Sequence, residues 1–249
     1  YSEGLDVLGY FIEIVSGMPF DEFLRKRIFD PLKMDDTWFY LPESKHNRLV
    51  KVQTKKDDKW VNYPTTFYDP DYPIKGAKTF FSGGAGLSST AKDYATFLQM
   101  YLNNGELNGI RILSRTTIQF MLENQIGDTL KGAGFYYGLA FAVVEQSNAN
   151  KGGNFSEGTF QWGGYFNTQY HADPEEQLVV VLMKQTQAIG GDNTAGKFRV
   201  LASQAVDDKF KSLLKMKLQN LKTLLLSFAI LVLVFGCKEN NTNKELDQY

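Results

Sequence analysis

Two places in this 249-residue chain set a lysine three positions after a serine: Ser89–Lys92 and Ser212–Lys215. On a helix that spacing brings an amine beside a hydroxyl. A lysine so placed can take the proton of an attacking serine, which then forms an acyl-enzyme. With 12 serines and 21 lysines in the chain, about one such pair arises by chance. Ser89 also stands at the start of a helical stretch, where a small hydroxyl caps free backbone N–H groups, so it reads as a cap. Ser212 falls on the closing helix.

Other chemistry is sparse. His46 and His171 are the two histidines and Cys237 the one cysteine. No disulfide can form within the chain, and no Cys/His group has zinc spacing. No metal and no cofactor are expected. His171 lies in an alternating strand and reads as structural. Gly83, Gly84 and Gly86 precede no Gly-Lys-Ser/Thr, so they read as a turn and not a phosphate loop. The 27 basic residues against 28 acidic ones give a net charge of −1, with no electrostatic case for nucleic acid.

The elements that must carry any site follow from periodicity. Leu5, Leu8, Phe11, Ile12 and Val15 recur at helical spacing, and Gly17 with Pro19 ends that helix. Phe20, Phe23, Leu24 and Ile28 form a second. Residues 41–83 lack periodicity and read as a long irregular excursion. Thr90 and Asp93 form a capping box for a helix facing inward through Ala95, Leu98 and Leu102. Ser114 starts another. Three segments, "GFYYGLAFAVV", "GTFQWGGYFNTQYHA" and "EQLVVVLMKQ", read as strands, with a turn at Asp173–Glu176. A last helix begins near Thr194 and packs through Phe198, Leu201, Ala205 and Leu213. Helices, then an antiparallel meander, then a closing helix make an α+β fold.

The stretches "YSEGLDVLGYFIEIVSGMPFDEFLRKRIFDPLKMDDTWFY", "GGAGLSSTAKDYATFLQMYLNNGELNGIRIL" and "FQWGGYFNTQYHADPEEQLVVVLMKQ" resemble the class C β-lactamase-related serine hydrolases, which include penicillin-binding peptidases and esterases. The resemblance implies a partial β-lactamase/transpeptidase-like fold over residues 1–215, lacking its N-terminal part. It also implies chemistry built on Ser-x-x-Lys, Tyr-x-Asn and a Lys-Thr-Gly strand. Tyr1 matches the proton-transferring tyrosine. Glu3 stands where the family has asparagine, and a carboxylate cannot donate to a substrate carbonyl. Trp162, Gly163 and Gly164 match the strand motif, and Tyr165 would offer its N–H as an oxyanion donor. With tryptophan in place of lysine, no cation faces a substrate carboxylate, so a neutral small-molecule ester or amide is the expected substrate. The Ser-x-x-Lys of the family would lie upstream of Tyr1, so the chain as given is expected to be inactive. The alternative is a non-catalytic ligand-binding module of the cell envelope.

Residues 216–249 form a separate segment. Lys217 and Lys222 precede an apolar run to Phe235, followed by Gly236, Cys237 and a polar stretch. That order of parts resembles a lipoprotein signal peptide belonging to a neighbouring reading frame. The alternative is a C-terminal hydrophobic helix, giving membrane association through 218–236 or a transmembrane span. The resemblance implies the bacterial cell envelope, periplasmic or, with the segment as an anchor, membrane-associated.

Overall fold

A computed structural model describes residues 3–66, 68–151, 155–187 and 189–206, together with Leu218, Leu221 and Lys222. The chain divides into two units, Tyr1–Gln204 and Ala205–Tyr249. Tyr1, Ser212 and nearly all of the apolar segment expected over 216–249 lie outside the described residues. Among the described residues, no helix is long and apolar enough to cross a membrane.

The first unit opens with α1 (Glu3–Ser16) and α2 (Phe20–Leu24), the latter continuing as a π-helical turn over Arg25–Phe29. Gly17, at φ +66°, ends α1 in the left-handed conformation that glycine adopts without a Cβ penalty. Of α1 only Gly9 is buried, against the ring of Phe20. Leu5, Leu8, Phe11 and Val15, whose spacing predicts the helix, are exposed. The helical spacing is there, but among the described residues nothing covers that face.

The excursion is irregular only in part. It holds a 3-10 turn over Glu43–Arg48, a hairpin of β1 (Gln53–Lys56) with β2 (Lys59–Asn62), and the single turn α3 (Tyr72–Lys75). The hairpin strands are largely exposed, so they carry no apolar alternation that would reveal them in the sequence. Next come α4 (Ala91–Leu102), the two-residue strands β3 (Glu106–Leu107) and β4 (Ile110–Arg111), and α5 (Arg115–Leu122). Ser114 caps α5 by accepting from the Thr117 N–H at 3.0 Å. Thr90 likewise caps α4, accepting from the Asp93 N–H at 3.2 Å. The reciprocal half of the predicted capping box is replaced. The Asp93 carboxylate turns inward and accepts from the Asp36 N–H at 2.8 Å and the Thr37 hydroxyl at 3.0 Å.

Five antiparallel strands follow in the order of the chain: β5 (Phe135–Tyr137), β6 (Ala142–Val144), β7 (Phe160–Gly163), β8 (Gln169–Asp173) and β9 (Leu178–Leu182). The first two predicted strands each fold back as a hairpin. Gly138 explains one fold: a Cβ there would lie 2.2 Å from the Met121 carbonyl oxygen, so the chain turns where only glycine fits. The predicted turn at Asp173–Glu176 is present. The buried Asp173 carboxylate accepts from the N–H groups of Glu175, Glu176 and Ser156.

Helix α4 lies on one face of the sheet. Leu98, Met100, Tyr101, Phe141, Val143, Phe160 and Ala172 form the buried core between them, with Phe29, Leu32 and Ile118 at its margin. Tyr101 meets Phe141 and Phe160 at centroid distances of 5.2 and 5.8 Å. Burying each Leu, Met, Val, Ile or Phe among them contributes about 1.5–3 kcal/mol of transfer free energy. The closing helix α6 (Thr194–Gln204) neighbours β9. Contrary to the expected inward packing, its Leu201 is exposed and Phe198 nearly half so. Of the other two expected contacts, Ala205 falls just past the helix and Leu213 lies outside the described residues.

Candidate active site

Strand β7 carries the Trp-Gly-Gly motif to the edge of this core. Phe160 and Trp162 share a face by the two-residue alternation of a strand. Phe160 is buried, while Trp162, two residues on, is only half-buried and rests edge-on against Tyr137 at 5.4 Å. Trp162 thus stands beyond the buried core residues and presents a surface to solvent.

Past Trp162 the chain turns. Gly164 N–H donates to the Thr168 carbonyl at 2.8 Å, and Asn167 N–H donates back to the Gly164 carbonyl at 3.0 Å. A Cβ on Gly164 would lie 2.3 Å from the Thr168 hydroxyl, and one on Gly163 would lie 3.0 Å from the Thr168 carbonyl oxygen. Both positions leave little room for a side chain. The turn is fixed from outside as well. Gln187 donates its side-chain N–H to the Tyr165 carbonyl at 2.6 Å, and Asn167 donates to the Thr186 hydroxyl at 3.0 Å. Among the described residues, the Tyr165 N–H meets no acceptor.

The excursion reaches this turn. Gln53 N–H donates to the Gln185 carbonyl, and Gln187 N–H donates to the Gln53 carbonyl, both at 3.0 Å. Beyond the hairpin, the Tyr63 hydroxyl lies 3.4 Å from that of Tyr165, and the Tyr68 ring meets the Tyr165 ring edge-on at 4.8 Å. Sequence reasoning missed these two tyrosines. Their signal is weak, since each sits in a stretch with no periodicity.

At the start of α1, where Tyr1 would lead in, Asp6 binds the glycine loop. Its Oδ1 accepts from the Ser82 hydroxyl at 2.8 Å and from the Gly84 N–H at 3.1 Å. Gly83 sits so close to α1 that a Cβ would lie 2.3 Å from the Leu5 carbonyl oxygen. The loop is the predicted turn, closed by Gly86 N–H to the Ser82 carbonyl at 3.0 Å, and its glycines also allow this close approach.

The remaining candidates have structural partners. Ser89 shares a 2.8 Å hydrogen bond with the buried Thr37 hydroxyl, which in turn donates to Asp93. His171 is 5% exposed, on the face opposite Tyr170 and Ala172, with its ring 5.8 Å from that of Phe155. Burial first, and then the Arg199 charge, lower its pKa to about 4, so it is neutral at pH 7. A cavity of about 380 Å³ lies elsewhere, lined by Lys55, Trp60, Lys184, Asp192 and Thr194, and contains none of the predicted site residues. Hydrogen bonds from Lys184 and then Thr194 hold Asp192 down to about 2. Among the described residues, no group of acidic, histidine or cysteine side chains is arranged to hold a metal ion.

A beta-lactamase family model matches residues 1–204. This chain belongs to the beta-lactamase family. Its kin within that family are the class C-related serine hydrolases. It is 26% identical over 233 residues to Protein Rv1367c of Mycobacterium tuberculosis, covering 86% of this chain and 57% of that protein. It is 26% identical over 199 residues to Esterase EstB of Burkholderia gladioli, covering 75% and 49%. Among solved structures, EstCE1, a hydrolase with promiscuous acyltransferase activity, shares the fold. The TM-score is 0.66 at 23% identity, over 82% of this chain and 55% of that one. The chain spans about half the length of the relatives it matches.

Proposed function

We propose that this chain supplies the tyrosine and the oxyanion strand of a serine hydrolase that acts through an acyl-enzyme on neutral small-molecule esters or amides. The observation that carries this reading is the Tyr165 backbone. Its N–H is unpaired among the described residues, while its carbonyl and the turn around it are pinned by Gln187 and Thr168. A fixed, unpaired donor costs little reorganisation when charge develops on a substrate oxygen.

In the reaction, a serine Oγ adds to the substrate carbonyl carbon while a lysine or Tyr1 takes its proton. The carbonyl oxygen becomes an oxyanion facing the Tyr165 N–H. The bond to the alcohol or amine breaks, and the leaving group departs with a proton returned through Tyr1. Water then adds to the acyl-enzyme and releases the acid. On this reading the serine and lysine come from a Ser-x-x-Lys upstream of Tyr1, as the family resemblance implies, while Ser89 has a structural partner in Thr37. On the same reading, residues 1–249 alone are expected to be inactive.

Trp162 supports the choice of neutral substrates. It offers an apolar face and a single N–H where a lysine would pair with a carboxylate. The bacterial envelope is the proposed location, supported by likeness to a "Putative D-alanyl-D-alanine carboxypeptidase" of Escherichia coli. Esterase EstB adds the precedent of ester hydrolysis in a relative. The test is turnover by the chain joined to the sequence encoded upstream of it. Hydrolysis of p-nitrophenyl butyrate with no turnover of nitrocefin, which carries a carboxylate, is the expected result. Turnover of nitrocefin alone, or of neither compound, overturns the reading.

A further inference from the structure

Tyr165 offers more than a backbone donor. Its side chain is 43% exposed, yet it is the centre of an aromatic group assembled from distant parts of the chain. Tyr68 stands edge-on to it at 4.8 Å, Phe166 at 5.3 Å, and the Tyr63 hydroxyl lies 3.4 Å from its own. Tyr63 is itself edge-on to Phe166 at 5.8 Å. The group is held in place from both sides. Tyr63 N–H donates to the Val52 carbonyl at 2.9 Å, and β1 is hydrogen-bonded to residues 185 and 187. A ring on the same residue as an oxyanion donor lies within a few bonds of any carbonyl bound there. Partly exposed as it is, the Tyr165 ring is within reach of one of that carbonyl's two substituents.

We propose that Tyr165, with Tyr63 and Tyr68, forms a specificity wall that selects esters or amides carrying an aromatic ring next to the reacting carbonyl. This rests on the hydrolase reading above. The rings offer edges and faces for offset or edge-on stacking. An uncharged aryl group gains from such contacts, and a methyl group in the same place does not.

The experiment uses the chain joined to its upstream sequence and compares methyl phenylacetate and benzyl acetate with methyl acetate. One of the two aromatic esters is expected to show the higher kcat/KM. Tyr165→Ala should cut that preference about fivefold, and Tyr68→Ala about threefold, the range of one or two aromatic contacts. A preference that is unchanged or raised in both variants overturns the wall while leaving the hydrolase in place. A raised preference would mean that the rings exclude bulk. Absence of turnover of all three esters by the unsubstituted protein removes both the wall and the hydrolase reading. Tyr68 lies off the oxyanion turn, so its variant keeps the test valid if Tyr165→Ala fails to fold.

Discussion

The Asp6 carboxylate accepts the Ser82 hydroxyl at 2.8 Å, joining the first helix to a glycine loop 76 positions away in sequence. The same oxygen accepts the Gly84 N–H, and Gly83 lies against the Leu5 carbonyl. One side chain therefore ties the first turns of α1 to that loop.

Asp6→Ala removes two hydrogen bonds to a charged acceptor. Such bonds contribute about 1.5–3 kcal/mol each at most, so a loss of about 2 kcal/mol is expected, read as a lower urea midpoint with unchanged slope. Gly83→Ala should destabilise at least as much, because the new methyl meets backbone rather than a flexible side chain. A midpoint unchanged in both variants would show that the loop is not held by this contact.

His171 makes stability depend on pH. In the fold its pKa is lowered to about 4, against about 6.5 in the unfolded chain. Between those values the unfolded state binds the extra proton. Stability from this group is present above pH 6.5 and is lost as pH falls toward 4, by on the order of 3 kcal/mol. His171→Phe should flatten the pH dependence of the urea midpoint across that window. An equal slope in the variant contradicts the assignment.

Much of this architecture was legible in the sequence. Gly17 and Pro19 marked the end of α1, Thr90 the start of α4, and Asp173-Pro174 the last hairpin, because each acts through local backbone chemistry. The exposed face of α1 was not legible, since helical spacing reports a periodic apolar set and not what covers it. The fold-back at Gly138 was hidden inside an apolar run, and the reason for it is a backbone contact with Met121. At the candidate site, Trp162 and Gly164 could be matched from sequence. Tyr63 and Tyr68 could not, as only the tertiary path of the excursion brings them to Tyr165.

Ser89 is assigned to structure. Ser89→Ala should cost about 1 kcal/mol through the lost bond to Thr37. Ester hydrolysis by the protein with its upstream sequence should stay within twofold of the unsubstituted rate. A loss of several orders of magnitude would make Ser89 the nucleophile instead.

On the proposed reading, Trp162 sets the charge preference. Trp162→Lys should shift relative kcat/KM toward carboxylate-bearing esters by about tenfold, the size of one solvent-accessible charge-assisted hydrogen bond. A matched pair of succinate mono- and diesters reads this directly. No change in their ratio would place Trp162 away from the substrate.

The most direct measurement is fluorophosphonate labelling followed by peptide mass spectrometry, on residues 1–249 alone and on the chain joined to its upstream sequence. No label is expected on residues 1–249, and in the longer chain a single label on the serine of an upstream Ser-x-x-Lys. A label on Ser89, or none on either protein, would contradict it.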